Sequence, residues 1–212
     1  ILRDMRLNGN RAKQQSSDNW TSMWAVDIET NAANALYENL TIENMWSGGI
    51  RHVGDNSKII NNTFRNISWA AISISDASFG VEISHNNIFD SGTMFKDGGR
   101  GDSITTYRGG NHKISYNYIE RGGKVEQIGA WKSPNTEISN NTLVDGLFMG
   151  IAPYSDDAII KGNTVKNSAE NAIDLRGANN NLVQGNIIDT VKGTTSKSNG
   201  GFEHTGINAN GD

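Results

Sequence analysis

The feature that most constrains this chain is a short pattern that recurs along it. An isoleucine or valine is followed three residues later by an asparagine, and an apolar residue comes two positions after that. Clear copies run through 59–64, 83–88, 114–119, 138–143, 160–165 and 183–188, and a weaker copy ends at Trp46. The asparagines are Asn44, Asn62, Asn86, Asn117, Asn141, Asn163 and Asn186, separated by 18, 24, 31, 24, 22 and 23 residues. Self-similarity at such a period is typical of solenoids.

The repeat unit has the composition of short strands and turns. Residues 71–75 and 81–84 alternate apolar and polar side chains with a period of two, which indicates β-strand. Asn, Gly, Asp and Ser separate these runs, and they are turn residues. About 24 residues are too few for a βαβ unit but suffice for three strands and three turns. The sequence therefore predicts an all-β parallel β-helix with coils of about 22–24 residues, whose strands lie about 4.8 Å apart.

The recurrent asparagine has a structural explanation within this fold. A tight bend between two strands requires a left-handed backbone conformation, which Asn tolerates better than most residues. Stacked in register, the amide of one coil can bond the amide of the next coil. We therefore predict that Asn62, Asn86, Asn117, Asn141, Asn163 and Asn186 form a ladder at one corner and do not bind a ligand.

Composition is consistent with one elongated domain over residues 1–212. Apolar residues make up 35% and the mean hydropathy is −0.53, low values that suit the narrow core of a solenoid. We expect an irregular first coil with a polar excursion in 1–35, regular coils in 36–190, and an insertion with a last coil in 191–212. Neither end carries an obvious cap, so we expect a fragment of a longer chain or ends covered by neighbouring chains.

Composition also argues against several classes of function. The chain has no cysteine, so disulfides and thiolate metal sites play no part. A net charge of −4 without a basic stripe argues against a nucleic-acid partner. We found no signal peptide and no apolar run of 18 residues, so we expect no membrane-spanning segment.

Two insertions interrupt the coils, at 92–102 and 192–203. Both follow the apolar pair that comes after a repeat asparagine, so we expect them to flank one groove on one side of the solenoid. Insertions on one face usually mark the binding face. The strand after this turn is the predicted groove floor, with members at 50–53, 71–75, 103–107, 126–130, 150–154 and 172–176.

The repeats between Asn39 and Ile188 resemble the right-handed parallel β-helix superfamily of carbohydrate-active proteins, which includes pectate-lyase-like enzymes, mannuronan epimerases and phage tailspike depolymerases. The resemblance implies a right-handed coil and a long sugar polymer as partner. It also implies an extracellular, secreted or virion-surface location, with a periplasmic one as an alternative. A spike protein of this type would be a homotrimer.

A narrower resemblance covers the first strands. The run from Leu2 to Ala12 looks like the LxLDGNRA segment of mannuronan epimerases and related spikes, with Asn8 in place of the Asp. The catalytic Tyr-Gly-Phe-Asp-Pro-His strand of those epimerases matches 48–53 here, where Arg51 stands at the Asp position and Val53 at the His position. Ser75 stands where that family would have a second Asp. Epimerase chemistry is therefore not carried over, although an epimerase remains an alternative.

Five residues on three successive coils are candidate catalytic groups, namely Asp76, Asp102, Tyr107, Arg108 and Glu126. Hydrolysis needs two carboxyl groups, and Asp76 with Glu126, two coils apart, would fit an inverting pair. Asp76 and Asp102 also suit turn capping. Elimination from an acidic sugar needs a cation and a base, which Arg108 and Tyr107 could supply. The sequence leaves lyase and hydrolase open.

Further polar and aromatic groups are predicted to bind the polymer, namely His52, Arg100, Lys124, Trp131, Tyr154, Asp174 and Arg176. No cofactor is required and no metal ligands are assigned, although residues 97–102 carry oxygen donors that could hold Ca²⁺. The sequence thus predicts a polysaccharide lyase or glycoside hydrolase acting on an extracellular, preferably acidic polymer. A non-catalytic spike, adhesin or carbohydrate-binding scaffold is the alternative.

Overall fold

A computed structural model describes residues 1–13, 24–93, 101–192 and 206–209. Within these residues the strands form three parallel sheets of eight strands, which we call sheets A, B and C. Sheet A comprises Leu2–Arg3, Leu36–Glu38, Lys58–Ile60, Glu82–Ser84, Lys113–Ser115, Glu137–Ser139, Ile159–Lys161 and Leu182–Gln184. Sheet B comprises Arg6–Asn8, Thr41–Met45, Thr63–Ile67, Asn87–Ser91, Tyr118–Glu120, Thr142–Val144, Thr164–Ser168 and Ile187–Val191. Sheet C comprises Val26–Asp27, Ile50–His52, Ile72–Ile74, Ile104–Tyr107, Glu126–Trp131, Met149–Ala152, Ile173–Asp174 and Ile207–Asn208. A single turn of 3₁₀ helix spans Arg11–Lys13.

Each coil contributes one strand to sheet A, one to sheet B and one to sheet C, in that order. Every strand pairs in parallel with its counterparts in the coils before and after it. In sheet A, for example, Ile59 pairs with Ile83 and Ile160 with Val183. The prediction of an all-β parallel solenoid with coils of about 22–24 residues is confirmed.

The core is a narrow column of stacked apolar side chains. In sheet C, Ile50, Ile72, Ile104, Ile128, Ile151 and Ile173 stack in register and are fully buried. Sheets A and B supply equivalent stacks of mostly branched aliphatic residues. Burying one such side chain contributes roughly 1.5–3 kcal/mol, so a low overall apolar content is enough when each coil adds to the same column.

The predicted asparagine ladder is present at the corner between sheets A and B. Asn86 Nδ2 donates to Asn117 Oδ1 at 3.0 Å, and Asn117 Nδ2 donates to Asn141 Oδ1 at 3.0 Å. The same oxygens accept backbone N–H groups, and each Nδ2 also donates to a carbonyl of the preceding coil. The chain of bonds continues through Asn62, Asn163 and Asn186.

One detail of the ladder differs from the prediction. The left-handed residue at each corner is the one before the ladder asparagine, as at Asn61 (φ 58°) and His85 (φ 58°). The ladder asparagine is selected for its buried amide, which reaches the next coil. Asn44 is not a member, because the position equivalent to Asn62 in its coil is Leu40, whose N–H donates to Asn62 Oδ1.

Asn44 instead belongs to a second row of left-handed residues, which bends the sheet B strands. Its φ is 55°, and its register neighbour is Asn66 (φ 54°). The row continues with Asp90, Arg121, Asp145, Asn167 and Thr190, all at positive φ. Asn and Asp dominate this row because they tolerate this conformation.

The insertions at 92–102 and 192–203 both connect a sheet B strand to a sheet C strand. Residues 94–100 and 193–205 lie outside the described residues, but the ends of both insertions leave and rejoin the solenoid at the same corner. The long connection after Arg6–Asn8 does so too. The strands predicted to form the groove floor all belong to sheet C. None of the described residues forms a helix long and apolar enough to cross a membrane.

Candidate functional site

The outer face of sheet C brings two of the predicted catalytic acids together. Ile104 pairs with Ile128, so Asp102 and Glu126, each two residues earlier, occupy the same position in adjacent coils about 4.8 Å apart. Both side chains are covered, with exposed fractions of 0% and 1%. The Gln127 side chain turns into the corner between sheets B and C, where its amide nitrogen Nε2 donates to Val144 O at 3.2 Å. This bend leaves Glu126 on the outer side.

A missing side chain lets two groups approach the sheet closely. A β-carbon on Gly129 would lie 3.0 Å from Trp131 Nε1 and 3.2 Å from Asp102 Oδ2. The indole N–H and the carboxylate therefore occupy the space that a larger residue would fill. Gly129 shares its outward row with Thr105, whose buried Oγ1 has no hydrogen-bond partner among the described residues. Small side chains in this row leave room at the sheet surface.

Tyr154 joins the acids through its hydroxyl group. It lies within hydrogen-bonding reach of the Glu126 carboxylate and 3.5 Å from Met149 Sδ. Burial raises the pKa of the Tyr154 phenol, and the negative charges of Glu126 and Asp174 raise it further. The phenol therefore stays protonated and acts as a hydrogen-bond donor near neutral pH.

Asp174 and Arg176 form a charged pair beside Tyr154. Arg176 Nε lies 2.9 Å from both oxygens of Asp174, which is fully buried. The hydrogen bond to Asp174 raises the pKa of Arg176, so the guanidinium keeps its charge. Both were predicted to bind substrate, and the structure places them on the outer side of sheet C, where Asp174 is covered and Arg176 is partly exposed.

An aromatic row borders the acids. Tyr107 and Trp131 are register neighbours, and both are half-buried. The rings of Trp131 and Tyr154 pack with centroids 4.0 Å apart, and the exposed Arg108 lies 5.1 Å from the centre of the Tyr107 ring. Aromatic side chains that follow one another along the solenoid axis offer the kind of apolar surface against which sugar rings pack.

Asp76 does not join this group. Ile74 pairs with Thr106, so Asp76 is level with Arg108, six residues further along the strand than the Asp102 position. At about 3.3 Å per residue this is roughly 20 Å, which excludes the predicted inverting pair of Asp76 and Glu126. Asp76 (φ 50°) forms a left-handed turn and borders a pocket of about 330 Å³. The other lining residues are Glu29, Arg51, Val53, Ser75 and Tyr107.

His52 is a core residue, so its prediction as a substrate-binding group is wrong. It is fully buried, its Nδ1 lies 2.9 Å from Tyr37 Oη, and its Nε2 lies 3.1 Å from Gly54 O. Burial lowers its pKa. Its outward neighbour is Arg51, which is bonded to Asp27 at 2.6 Å. The strand register places every second side chain inside, and His52 falls on the inner set.

Two other predicted binding residues, Lys124 and Arg100, are not part of the group around the acids as the structure describes it. Lys124 is exposed, at the corner that leads from sheet B into sheet C. Arg100 and most of the oxygen-rich segment 97–102 lie outside the described residues. Within the described residues, no group of three or more His, Asp or Glu side chains is arranged to hold a metal ion. Ca²⁺ binding by 97–102 stays a prediction.

Sequence reasoning missed three residues beside the acids. Met149 and Asn171 continue the column of Asp102 and Glu126, and the buried Glu170 precedes Asn171. Alignment of the coils on the sheet C isoleucines would have found them, because the column lies two residues before each isoleucine. The acids therefore belong to a column in which Met149 separates them from Asn171, and Asn171 Nδ2 lies 3.5 Å from Asp174 Oδ2.

The fold and this site define a class of protein: a parallel β-solenoid with a covered acidic column and an aromatic row on one sheet. The family model described as "Right handed beta helix region" matches residues 48–211. The chain therefore belongs to the right-handed β-helix family. No curated protein and no solved structure matches it.

Proposed function

We propose that the protein is a glycoside hydrolase that cleaves a sugar polymer bound along the outer face of sheet C. One observation carries this proposal. Two carboxylic acids, Asp102 and Glu126, occupy the same position in adjacent coils, beside the packed rings of Trp131 and Tyr154. A pair of carboxyl groups next to an aromatic surface is what hydrolysis of a glycosidic bond requires.

Hydrolysis fits the site better than elimination. An elimination needs a cation over the uronate carboxylate and a group able to accept a proton. The guanidinium of Arg176 is already held by Asp174, and the raised pKa of Tyr154 makes its phenol a poor base. The described side chains near the acids thus offer carboxylates, which serve hydrolysis.

The spacing of the acids favours retention of configuration. Backbone positions in adjacent coils lie about 4.8 Å apart, and two carboxyl groups that project in parallel from such positions would have nearly the separation of roughly 5 Å that is typical of retaining enzymes. The Tyr154 hydroxyl, within reach of Glu126, stabilises the ionised form of that carboxyl and suits it to be the nucleophile. Asp102 then protonates the glycosidic oxygen as Glu126 bonds the anomeric carbon. Water, giving its proton to Asp102, afterwards cleaves the glycosyl ester and regenerates both groups.

The test identifies the reaction from the chemical nature of the new chain ends. Purified protein is incubated with neutral and acidic polysaccharides, and both reducing ends and ultraviolet-absorbing unsaturated ends are measured. We expect reducing ends alone, and NMR of the first products should show that the anomeric configuration is retained. Glu126→Gln and Asp102→Asn should each lower turnover about 10²-fold or more. Unsaturated products would show that the protein is a lyase and would contradict the assignment as a hydrolase.

Glu137→Gln is the matched control, because Glu137 lies on the outer face of sheet A, where it pairs with Lys161 at 3.3 Å. Its turnover should equal that of the wild type. Wild-type turnover in both Glu126→Gln and Asp102→Asn would contradict the assignment of the site.

The complete burial of Asp102 and Glu126 favours a second candidate function, a non-catalytic carbohydrate-binding scaffold or spike. In that case the acids order the surface and the aromatic row alone binds the polymer. Binding of an oligosaccharide that is abolished by Trp131→Ala, without any cleavage of that sugar, would support this reading over hydrolysis.

A further inference from the structure

A second pocket lies where the first strands of sheet B end, away from Asp102 and Glu126. Its volume is about 690 Å³, within the range of small-molecule sites. It is lined by Asn8, Asn10, Arg11, Ala12, Asn44, Trp46 and Asn66. None of these described lining residues is acidic, which contrasts with the carboxylates on sheet C.

The amides in this pocket form a directed chain. Asn66 Nδ2 donates to Asn44 Oδ1 at 2.9 Å, Asn44 Nδ2 lies 3.5 Å from Asn8 Oδ1, and Asn8 Nδ2 donates to Glu43 Oε1 at 2.8 Å. Each amide nitrogen carries two N–H groups, and this chain uses one of them. Asn8 Oδ1 accepts two bonds, whereas Asn44 Oδ1 and Asn66 Oδ1 each accept one, so the amides present both donors and acceptors to a ligand.

Arg11 brings a positive charge to the same pocket. Its guanidinium bonds Asn66 Oδ1 through Nη1 at 2.5 Å and lies 5.5 Å from the centre of the Trp46 ring. These two contacts hold the guanidinium in place, and its remaining N–H groups form a fork suited to a carboxylate. The neighbouring Glu43 is bonded to Arg6 as well as to Asn8, so its charge is offset.

We propose that this pocket binds a carboxylate-bearing sugar unit, such as a uronic acid in an oligosaccharide. The fixed guanidinium would bind the carboxylate, the spare amide N–H groups would bind ring hydroxyls, and the indole edge would border the ring. The site is separate from the acids of sheet C and does not depend on cleavage. It would hold one part of an acidic polymer on the solenoid.

Binding is best measured by NMR in the Glu126→Gln background, so that the probe stays intact. The probes are a galacturonic acid tetrasaccharide, a neutral glucose tetrasaccharide and inorganic sulfate at matched ionic strength. We expect the acidic tetrasaccharide to shift the side-chain amide signals of Asn44 and Asn66. The neutral sugar should leave them unchanged, and sulfate should bind at least ten-fold more weakly than the acidic sugar.

Two substitutions test the mode of binding. Arg11→Met removes the charge, and Asn10→Asp adds a negative charge at an exposed left-handed position (φ 51°) that Asp tolerates. Each should weaken binding of the acidic tetrasaccharide about ten-fold or more. Arg65→Met is the control, since Arg65 is an exposed arginine that lies over Phe89 and does not line the pocket, although it directly precedes the lining residue Asn66.

Three results would overturn the proposal: unchanged affinity in both Arg11→Met and Asn10→Asp, equal binding of the neutral sugar, or sulfate binding as tight as that of the acidic sugar. Cleavage by the otherwise wild-type protein carrying Arg11→Met should keep its rate on a short soluble substrate. A loss of hydrolysis on sheet C therefore stays distinguishable from a loss of this pocket.

Discussion

At the scale of single residues, the absent β-carbon of Gly129 controls how closely Trp131 and Asp102 approach sheet C. An alanine there would place its methyl group 3.0 Å from Trp131 Nε1 and 3.2 Å from Asp102 Oδ2. We expect Gly129→Ala to displace both groups and to lower turnover ten-fold or more, because small misplacements of catalytic groups are costly. Turnover and thermal unfolding are measured together, and the melting temperature should change little.

The matched control is Ser73→Ala, in the same outward row of sheet C but two coils away. Its turnover should stay near that of the wild type. If Gly129→Ala were also fully active, the close approach at this glycine would have no catalytic role.

A buried histidine predicts how stability depends on pH. Burial lowers the pKa of His112 to about 4, and Val81 N donates to its Nδ1 at 3.3 Å; the charge of Asp55 acts in the opposite direction. Between about pH 6.5 and 4 the unfolded chain gains a proton that the folded chain does not. The free energy of unfolding should therefore fall by roughly 2–3 kcal/mol as pH drops through this range.

Denaturant titrations between pH 7 and 4 measure this effect. His112→Gln should flatten the pH dependence, whereas His85→Gln should leave it unchanged, because His85 is exposed and stacks on Tyr116. The same slope in His112→Gln and the wild type would assign the effect to other groups, of which the buried His52 is the first candidate.

Residue-level predictions from the sequence were right where the period alone decides the outcome and wrong where one residue of register decides it. The amide ladder follows from spacing, and it was found. His52 was assigned to the wrong face, because alternation reverses with a shift of one residue. The Asp76–Glu126 pair failed for a related reason, since coil count fixes distance along the axis but not along the strand.

At the scale of elements, the amide ladder fastens one coil to the next at the corner of sheets A and B. Asn86 Oδ1 accepts both Asn62 N at 2.9 Å and Asn62 Nδ2 at 3.0 Å. Asn86→Ala would leave the Asn62 backbone N–H without its partner and Asn62 Nδ2 with Tyr37 O alone, and each lost bond to a buried donor costs about 1–3 kcal/mol. We expect the free energy of unfolding to fall by roughly 3 kcal/mol or more, measured by chemical denaturation.

Asn87→Ala is a control of identical chemistry one residue away. Asn87 is exposed, and it begins a strand of sheet B. Its substitution should change the free energy of unfolding by less than about 0.5 kcal/mol. Equal effects at the two positions would mean that the ladder adds nothing beyond strand formation.

The strands themselves were largely predictable, because each coil repeats the same branched apolar residues at fixed spacing. The bend inside sheet B was not, since its left-handed row mixes Asn44 and Asn66 with Asp90, Arg121 and Thr190. The acidic column was found only in part, because a repeat defined by its asparagines does not reveal a column defined by its position before the sheet C isoleucines.

At the scale of the whole molecule, a coil is a removable unit. Glu137 pairs with Ile159, so deletion of residues 137–158 joins Thr136 to a residue in the same structural position. Stability in such arrays depends mainly on neighbouring units. We expect the shortened protein to fold cooperatively with unchanged β-sheet circular dichroism. It should lose activity, because the deletion includes Tyr154, the hydrogen-bonding partner of Glu126.

Deletion of residues 137–147, half of that coil, is the contrasting case. It removes the sheet A strand and the sheet B strand of the coil, so two strands of sheet C would follow each other without the coil that must separate them. This deletion should abolish cooperative unfolding. If both shortened proteins behaved alike, the coil would not be the unit of stability.

The two kinds of corner give this architecture a direction in which it can evolve. Where sheets A and B meet, the coils from Asn62 to Asn186 are fastened by a ladder of amides, so added residues there would break a continuous run of bonds. Where sheets B and C meet, connections range from four residues, as between Ile67 and Ile72, to much longer ones, and the sheets stay in register. New loops can therefore be acquired beside Asp102 and Glu126 without disturbing the asparagine ladder that holds the coils together. Protein engineers could graft foreign segments at that corner for the same reason.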